Sequence, residues 1–279
     1  MSKGATKFQK VLMSWVYRGK EIFKPLNTGA IDEHVRCIRE YVANIFFYTK
    51  GSTTIMIDAG YSYDRLQEKM DWLGIDPHLD TDHIGAIEAD SDQLFSHAQV
   101  YIGDVENRYL TGEVRRRVMN GWFKLPKVII PNKKTLLHDG EVFEIDGIKI
   151  ETILVPGHTW GHVVYLIDDE YLFSADTIWL GADGGYSFIN KLAEDNKLAV
   201  ESLARLEGIL RESGLNPKII TGHTGWADDI NFAFAHTDEV CNVNKPVKVH
   251  DLKAPYDAYD ERDDTRENAV NTPLLPCNR

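Results

Sequence analysis

Short apolar runs, rich in β-branched and aromatic residues, recur along the chain and are separated by Gly, Asn or Lys turns. Runs of about four to eight such residues between turn signals are typical of β-strands. The predicted strands, in chain order, are KVLMSWVY, NIFFYT, TTIMIDAG, QVYIG, KVIIP, TLLH, EVFEID, IKIETILV, HVVYLIDD, YLFSAD and PKIITGH.

Two stretches carry the period of an amphipathic helix instead. In YDRLQEKMDWLG the apolar residues recur at helical spacing, and Gly74 can end the helix. Residues 191–213 predict the clearest helix, because their apolar residues share one face and Gly214 follows. The apolar positions are Leu66, Met70 and Leu73 in the first helix and Ala199, Leu203, Leu206 and Leu210 in the second. Strands followed by a helix in each half suit two stacked β-sheets with helices outside.

The composition is that of an ordinary globular protein, with 43% apolar and 27% charged residues among 279. From about Lys245 the chain becomes polar and densely charged. We therefore predict one domain over residues 1–244 and a polar, poorly ordered tail over residues 245–279. The formal net charge of −12 gives no reason to expect nucleic acid as a partner.

The cellular context is predicted from what the sequence shows of targeting and redox signals. The N-terminus has no signal-peptide pattern, and no apolar stretch is long enough for a transmembrane helix. The three cysteines form no C-x-x-C pair, and an odd number is a poor disulfide framework. We expect a cytoplasmic protein that does not bind a membrane and acts on a small molecule.

Potential metal ligands occur at four separate places, and most of these abut a predicted strand. The candidates are His78, Asp80, Asp82 and His83 in HLDTDH, His158 in VPGHTWGH, Asp176 in YLFSADT and His223 in IITGHTG. Imidazole and carboxylate groups together suit Zn²⁺, Mn²⁺ or Fe. One histidine after a strand is usually an ordinary surface or core residue. Four such places in one chain favour a common metal site, because loops at strand ends can converge on it.

These motifs resemble, in content and order, those of the metallo-β-lactamase superfamily. The likeness covers roughly residues 35–230: MIDAG matches the acidic turn after an early strand, and HLDTDH matches the H-x-[H/D]-x-D-H motif. PGHTWGH, the Asp after a later strand and the final GH follow in the family's order. The resemblance implies an α+β fold, an αββα sandwich of two mixed β-sheets flanked by helices. It also implies a two-metal site at one edge.

Each motif residue takes a role from this resemblance. One metal ion would be bound by His78, Asp80 and His158, and the other by Asp82, His83 and His223, with Asp176 bridging the two. The metals would be two divalent ions, zinc first, with iron or manganese as alternatives. Asp58 would orient a ligand imidazole from outside the ligand set. His162 would pack or hydrogen-bond beside the ligands, or would simply be a core histidine.

The implied activity is hydrolysis by a metal-bound hydroxide. Two metals about 3.5–4 Å apart lower the pKa of a bridging water toward about 7. Asp82 could position that water and later deliver a proton. We therefore predict a hydrolase that acts on a small-molecule ester, lactone or thioester. The chain has no G-x-S-x-G motif that would indicate a serine nucleophile instead.

Two departures from the family pattern keep other functions open. Asp80 stands where the family more often has histidine, and a carboxylate favours iron or manganese, so a diiron redox protein is an alternative. The apolar strand that normally precedes the motif is missing, since the predicted helix, Gly74 and Pro77 run directly into His78. A catalytically impaired binding protein of the same fold is therefore a further alternative.

The segment 103–126 and two tryptophans are the remaining candidates. The segment could cover a substrate, with Tyr109, Trp122 and Phe123 lining a pocket and Arg115, Arg116 and Arg117 meeting an anion. A solvated helix and loop is the simpler interpretation. Trp160 and Trp179 lie within three positions of His158 and Asp176, so they could form a wall of the site or belong to the core.

Overall fold

The computed structural model describes residues 25–40, 43–58, 65–76, 81–84, 95, 97–115, 130–181, 183–187, 193–240 and 264–271. The predicted strand KVLMSWVY lies outside these residues, and of the predicted strand KVIIP only Ile130 and Pro131 are described, neither of them in a strand. The chain divides into two compact units. The first comprises Met1–Gln99, Ile130–Lys133 and Val243–Leu275, and the second comprises Val100–Ile129, Lys134–Asn242 and Pro276–Arg279.

Five strands and a helix form most of the first unit. They are β1 (Gly29–Ala30), β2 (Val35–Glu40), β3 (Ala43–Lys50), β4 (Thr53–Ile57), α1 (Leu66–Leu73) and β5 (Thr81–Ile84). The strands β1 to β4 pair antiparallel in chain order, and β5 pairs with β4 in parallel. Four successive residues of β3, Ile45 to Tyr48, are buried, so both faces of this sheet are covered.

The helix α1 confirms the predicted helix in YDRLQEKMDWLG. Leu66 and Met70 are buried on its inner face. Gly74 ends the helix in the left-handed conformation, with φ of 67°, and the next amide, Ile75 N, donates to Met70 O at 3.0 Å.

The second unit contains a strand pair and two further sheets. Its elements in chain order are β6 (Val100–Gly103), α2 (Asp104–Thr111), β7 (Lys134–Leu137), β8 (Val142–Ile145), β9 (Ile148–Leu154), β10 (Val163–Ile167), β11 (Tyr171–Ala175), β12 (Ile178–Leu180), β13 (Gly185–Ser187), α3 (Asn196–Glu212), β14 (Lys218–Thr221), β15 (Gly225–Ala227), α4 (Ile230–Ala233) and β16 (His236–Val240). The six-stranded sheet has the order β15-β14-β11-β10-β9-β8, and the small sheet has the order β12-β13-β16. In the larger sheet only β11 and β14 are parallel, and the connection between them contains α3.

The helix α3 covers the core of this unit. Its buried residues are Ala199, Ser202, Leu203, Leu206 and Leu210, which include all four apolar positions predicted from the sequence. The helix begins at Asn196, later than predicted, because the Asp195 carboxylate caps it by accepting a hydrogen bond from Leu198 N at 3.0 Å. The three leucines pack against apolar residues of β9, β10, β11 and β14, so the helix is fixed on the sheet that carries the candidate ligands.

The last described segment belongs to the first unit, although it lies within the predicted tail. It contains α5 (Arg266–Asn271) and the buried residue Asp264. Lys69 of α1 pairs with this carboxylate, and Thr28 donates to it through both its amide and its hydroxyl. The rest of the tail lies outside the described residues, so the predicted boundary after residue 244 stays a prediction. No helix in the described ranges is both long and apolar enough to span a membrane.

Candidate metal centre

Three of the predicted ligands meet in the second unit, around one carboxylate. His158 Nε2 lies 3.2 Å from Asp176 Oδ2, and His223 Nε2 lies 2.8 Å from Asp176 Oδ1. The three residues follow β9, β11 and β14, which belong to the same sheet. Because β11 and β14 are parallel, their carboxyl ends lie at the same edge, and this brings Asp176 beside His223.

The electrostatics of this cluster favour a charged carboxylate. Burial by itself would raise the pKa of Asp176, but the His223 and His158 imidazoles outweigh it and hold that pKa well below its usual range. Two imidazole nitrogens and two carboxylate oxygens are donors that suit Zn²⁺ and similar divalent ions. The donor set therefore fits the metal that the motifs predict.

The backbone just before Asp176 is strained. Ala175 has φ of 44°, in the left-handed region that a residue with a side chain rarely adopts. The pairing of β11 with β14 shifts register between Phe173 and Ala175, and Gly222 N donates to Ala175 O at 2.8 Å. Strained backbone of this kind persists where its surroundings fix it, and it concentrates at functional sites. Here the strain lies directly before the candidate bridging ligand.

Glycines hold the His158 turn, residues 155–162, against two helices. Gly157 has φ of 142°, and a Cβ on it would collide with the backbone of Ala199 in α3. A Cβ on Gly161 would lie 2.5 Å from Glu106 N in α2. Both glycines of the PGHTWGH motif are therefore required for close approach of the backbone.

Hydrogen bonds fix the His158 turn further, and several come from residues that no motif indicated. Within the turn, Val155 N donates to His162 O and Gly157 N donates to Thr159 O, both at 2.8 Å. The Thr159 hydroxyl donates to Glu106 Oε2 at 2.7 Å. Ahead of α3, Asp195 N donates to Gly157 O at 2.9 Å and Glu194 N donates to His158 O at 3.1 Å. No sequence motif indicates Glu106 and Glu194, because they contact the turn only through tertiary packing.

Buried hydroxyl groups position His223 in a similar way. The Thr221 and Thr224 oxygens lie 2.8 Å apart, and Leu180 N donates to Thr224 Oγ1 at 2.9 Å. This network connects the loop after β14 to the strand β12, which closely follows Asp176. The Trp179 ring packs beside the His223 ring, with centroids 5.5 Å apart.

His162, Trp160 and Trp179 are the other candidate residues of this unit. The His162 ring meets the His158 ring edge-on, with centroids 5.6 Å apart, so it packs against a candidate ligand. Trp179 is 4% exposed and Trp160 is 52% exposed, although both are close in sequence to candidate ligands. Trp179 therefore belongs to the buried surroundings of His223, whereas the Trp160 side chain faces solvent.

The HLDTDH motif belongs to the first unit. His78 and Asp80 lie outside the described residues, and Asp82 and His83 are described only by their backbone, as part of β5. In the parallel pairing with β4, Asp82 stands opposite Ile55 and His83 stands opposite Met56. The strand next to β4 is thus formed by the motif itself rather than by residues before it. Asp58, at the end of β4, has a left-handed backbone with φ of 60°.

Among the side chains that the structure describes, no group of three or more His, Cys, Asp or Glu residues is arranged so that it could hold a metal ion. Four of the seven predicted ligands lie outside those side chains, namely His78, Asp80, Asp82 and His83. The full ligand set and the roles assigned to it stay predictions. Of the segment 103–126, α2 and the residues up to 115 are described, and the proposed lid residues beyond them are not.

The sequence is similar to several known proteins. It is 26% identical to the metallo-beta-lactamase fold-containing protein ST1585 of Sulfurisphaera tokodaii, over 65% of this chain and 77% of that one. It is 26% identical to the probable polyketide biosynthesis zinc-dependent hydrolase BaeB of Bacillus velezensis, over 51% of this chain and 57% of that one. It is 32% identical to a hydroxyacylglutathione hydrolase of Dictyostelium discoideum, over 45% of this chain and 42% of that one.

The fold is similar to that of solved metallo-β-lactamases. A B3 metallo-beta-lactamase with an active-site glutamic acid superposes with a TM-score of 0.55 at 13% identity, over 86% of this chain and 89% of that chain. The predicted fold class, an α+β sandwich, is confirmed by this likeness. The family profile named Metallo-beta-lactamase superfamily matches residues 38–212, a range that includes HLDTDH, His158 and Asp176 and ends before His223. The chain belongs to the metallo-beta-lactamase superfamily.

Proposed function

We propose that the chain is a metal-dependent hydrolase that acts on a small-molecule thioester, with esters and lactones as further substrates. The observation that carries the proposal is the position of the Asp176 carboxylate between the His158 and His223 imidazoles. Divalent ions bound by such residues would supply an activated water at neutral pH. A thioester is preferred because hydroxyacylglutathione, the substrate named for one relative, carries its acyl group on sulfur.

The residues of the chain would contribute the following. His158, Asp176 and His223 would hold the metal ions, together with His78, Asp80, Asp82 and His83 of the motif. Asp82 would also position the attacking water and return a proton to the leaving group. The described turns around Gly157 and Thr224 would keep the imidazoles in place, because a shift of about 1 Å can lower a rate on the order of 10²-fold.

The first test is metal content. The chain, purified without added metal, should contain about two equivalents of zinc, iron or manganese per chain when measured by plasma mass spectrometry. The His223→Ala variant should lose metal, whereas His34→Ala, which changes a histidine of the first unit, should not.

The second test is turnover by the metal-loaded chain. A hydroxyacyl thioester, an aryl ester, a lactone and a phosphodiester form the panel, and we expect the thioester to be hydrolysed fastest. The proposal is wrong if the metal-loaded chain hydrolyses none of the four, or if metal-free and metal-loaded chains do not differ.

A further inference from the structure

One carboxylate outside the predicted ligand set joins the His158 turn to both helices that flank it. Glu194 Oε2 accepts a hydrogen bond from the Tyr109 hydroxyl of α2 at 2.9 Å and another from Trp160 N at 3.1 Å. The backbone amide of Glu194 donates to His158 O at 3.1 Å. Glu194 also lies next to Asp195, the cap of α3. It therefore contacts the backbone of the turn at two points, on either side of Thr159.

We propose that Glu194 is a positioning residue, which fixes the His158 turn so that the imidazole is held ready to bind metal. The inference rests on the proposed function only in requiring that the site binds a metal ion. It assigns no catalytic step to Glu194, since this residue reaches the ligand through the backbone of the turn.

The turn requires an anchor of this kind. Residues 155–162 lie between β9 and β10 and belong to neither strand. Two of these residues, Gly157 and Gly161, approach α3 and α2 closely through their backbone, but they supply no side chain that could fix the turn there. Hydrogen bonds to a charged acceptor are about twice as strong as neutral ones, and the bond from the buried Tyr109 hydroxyl reaches a carboxylate that is itself partly buried. The orientation of a metal-binding imidazole depends on such outer partners, and their loss typically weakens metal binding about 10–100-fold.

The geometry of these contacts makes it possible to separate the effect of the acceptor oxygen of Glu194 from the effect of its negative charge. Both hydrogen bonds end on the same oxygen, Oε2. An amide oxygen can accept two hydrogen bonds, so Glu194→Gln can keep both contacts. Glu194→Met has a similar length and no strong acceptor, so it loses both. Tyr109→Phe removes one contact and leaves the bond from Trp160 N. A matched control is Glu207→Met, which removes a glutamate from α3 whose partner is the surface residue Arg211.

The experiment measures two quantities in each variant. The first is the dissociation constant for zinc, obtained by competition with a chromophoric chelator. The second is hydrogen exchange of the amides of residues 157–162 in the metal-free chain, which does not depend on activity or on bound metal. Glu194→Met should weaken zinc binding about 10–100-fold and speed exchange of the Trp160 amide by at least about tenfold. Glu194→Gln and Glu207→Met should stay within about threefold of the wild type in both quantities.

Each other outcome overturns the inference. If Glu194→Met binds zinc as tightly as the wild type, the residue does not position the ligand. If Glu194→Gln binds zinc as weakly as Glu194→Met, zinc binding depends on the negative charge of Glu194 and not on its two hydrogen bonds. A wild-type chain that takes up no zinc also overturns it, even if exchange changes as expected. By contrast, a chain that binds zinc but hydrolyses no substrate refutes the proposed function and leaves this inference standing.

Discussion

Lys69 and Asp264, which are distant in sequence, form an ion pair that is almost completely buried. Lys69 Nζ lies 2.7 Å from Asp264 Oδ2, and the two side chains are 1% and 0% exposed. Lys69 also donates to Arg39 O, and Asp264 accepts from Thr28, so both charges have several partners. A buried pair of this kind is costly to break, because removal of one partner leaves an uncompensated charge.

The first prediction concerns this pair. Asp264→Ala should lower the free energy of unfolding by about 3–5 kcal/mol, because the Lys69 ammonium then stays buried without a carboxylate. The double variant Lys69→Met, Asp264→Leu should regain most of that loss, since the buried charges are replaced by apolar groups. Urea denaturation followed by tryptophan fluorescence measures both values. If the double variant loses as much stability as Lys69→Met and Asp264→Leu lose together as single variants, the two residues do not stabilise each other.

The second prediction concerns close packing in the PGHTWGH motif. Gly161→Ala should destabilise the chain by about 1–3 kcal/mol and weaken zinc binding, because the new methyl group meets the backbone of α2 at 2.5 Å. Gly208 in α3 is a control, since nothing lies within 4 Å of a Cβ built on it. Gly208→Ala should therefore stabilise the helix by about 0.5–1 kcal/mol. The two glycine-to-alanine variants, Gly161→Ala and Gly208→Ala, should thus shift the midpoint of urea denaturation in opposite directions.

A third prediction concerns the reactivity of Cys37. Burial raises the pKa of this thiol, and the nearby Asp264 carboxylate raises it further, so the reactive thiolate form is rare. Under native conditions at pH 8, iodoacetamide should label Cys37 only when the first unit unfolds. Peptide mass spectrometry over a time course measures the labelling rate. Native labelling at the rate of a free thiol would show that this part of the sheet opens readily.

A fourth prediction separates the two tryptophans near the candidate metal centre, and it depends on the proposed function. Trp160→Ala should change the free energy of unfolding by less than about 0.5 kcal/mol, because its side chain is 52% exposed. It should raise KM for thioesters with a large apolar acyl group more than for acetyl thioesters, with kcat little changed. Trp179→Ala should instead cost about 3–5 kcal/mol of stability, because this ring is 4% exposed and packs against His223. Equal effects of the two variants on KM and stability would contradict this division.

Local patterns predicted much of this fold because they coincide with tertiary packing. The leucines of α3 recur at helical spacing, and the same residues are buried in the structure. The strand β2 was not predicted, because its Arg36, Arg39 and Glu40 hide the apolar pattern. Arg39 and Glu40 are nonetheless buried, and Arg39 donates to Asn27 Oδ1 at 2.7 Å, a contact that a local pattern cannot indicate.

The candidate metal centre was also predicted only in part from the sequence. The motifs predicted that His158, Asp176 and His223 share one site, because each follows a strand and the strands of one sheet can end at a common edge. In the structure these three side chains are in contact. Glu194 and Tyr109 were not found as partners, since 85 positions separate them and neither belongs to a motif. The sequence also predicted no strand before HLDTDH, and in the structure the strand that pairs with β4, Thr81–Ile84, begins inside the motif.

The final prediction tests whether bound metal and the Asp176 cluster stabilise the same folded state. A ligand that binds only the folded chain raises Tm, so removal of metal by a chelator should lower Tm of the wild type by several degrees. Asp176→Asn keeps the shape of the side chain but loses the negative charge between the two imidazoles. Its Tm should therefore be nearly the same with and without chelator, and its metal content should fall. Asp183→Asn, which changes an exposed carboxylate that contacts Tyr186, is the control and should respond to the chelator as the wild type does. If Asp176→Asn retained both its metal and its chelator response, the metal would be bound elsewhere, because the neutral amide lacks the charge that the proposed bridging ligand supplies.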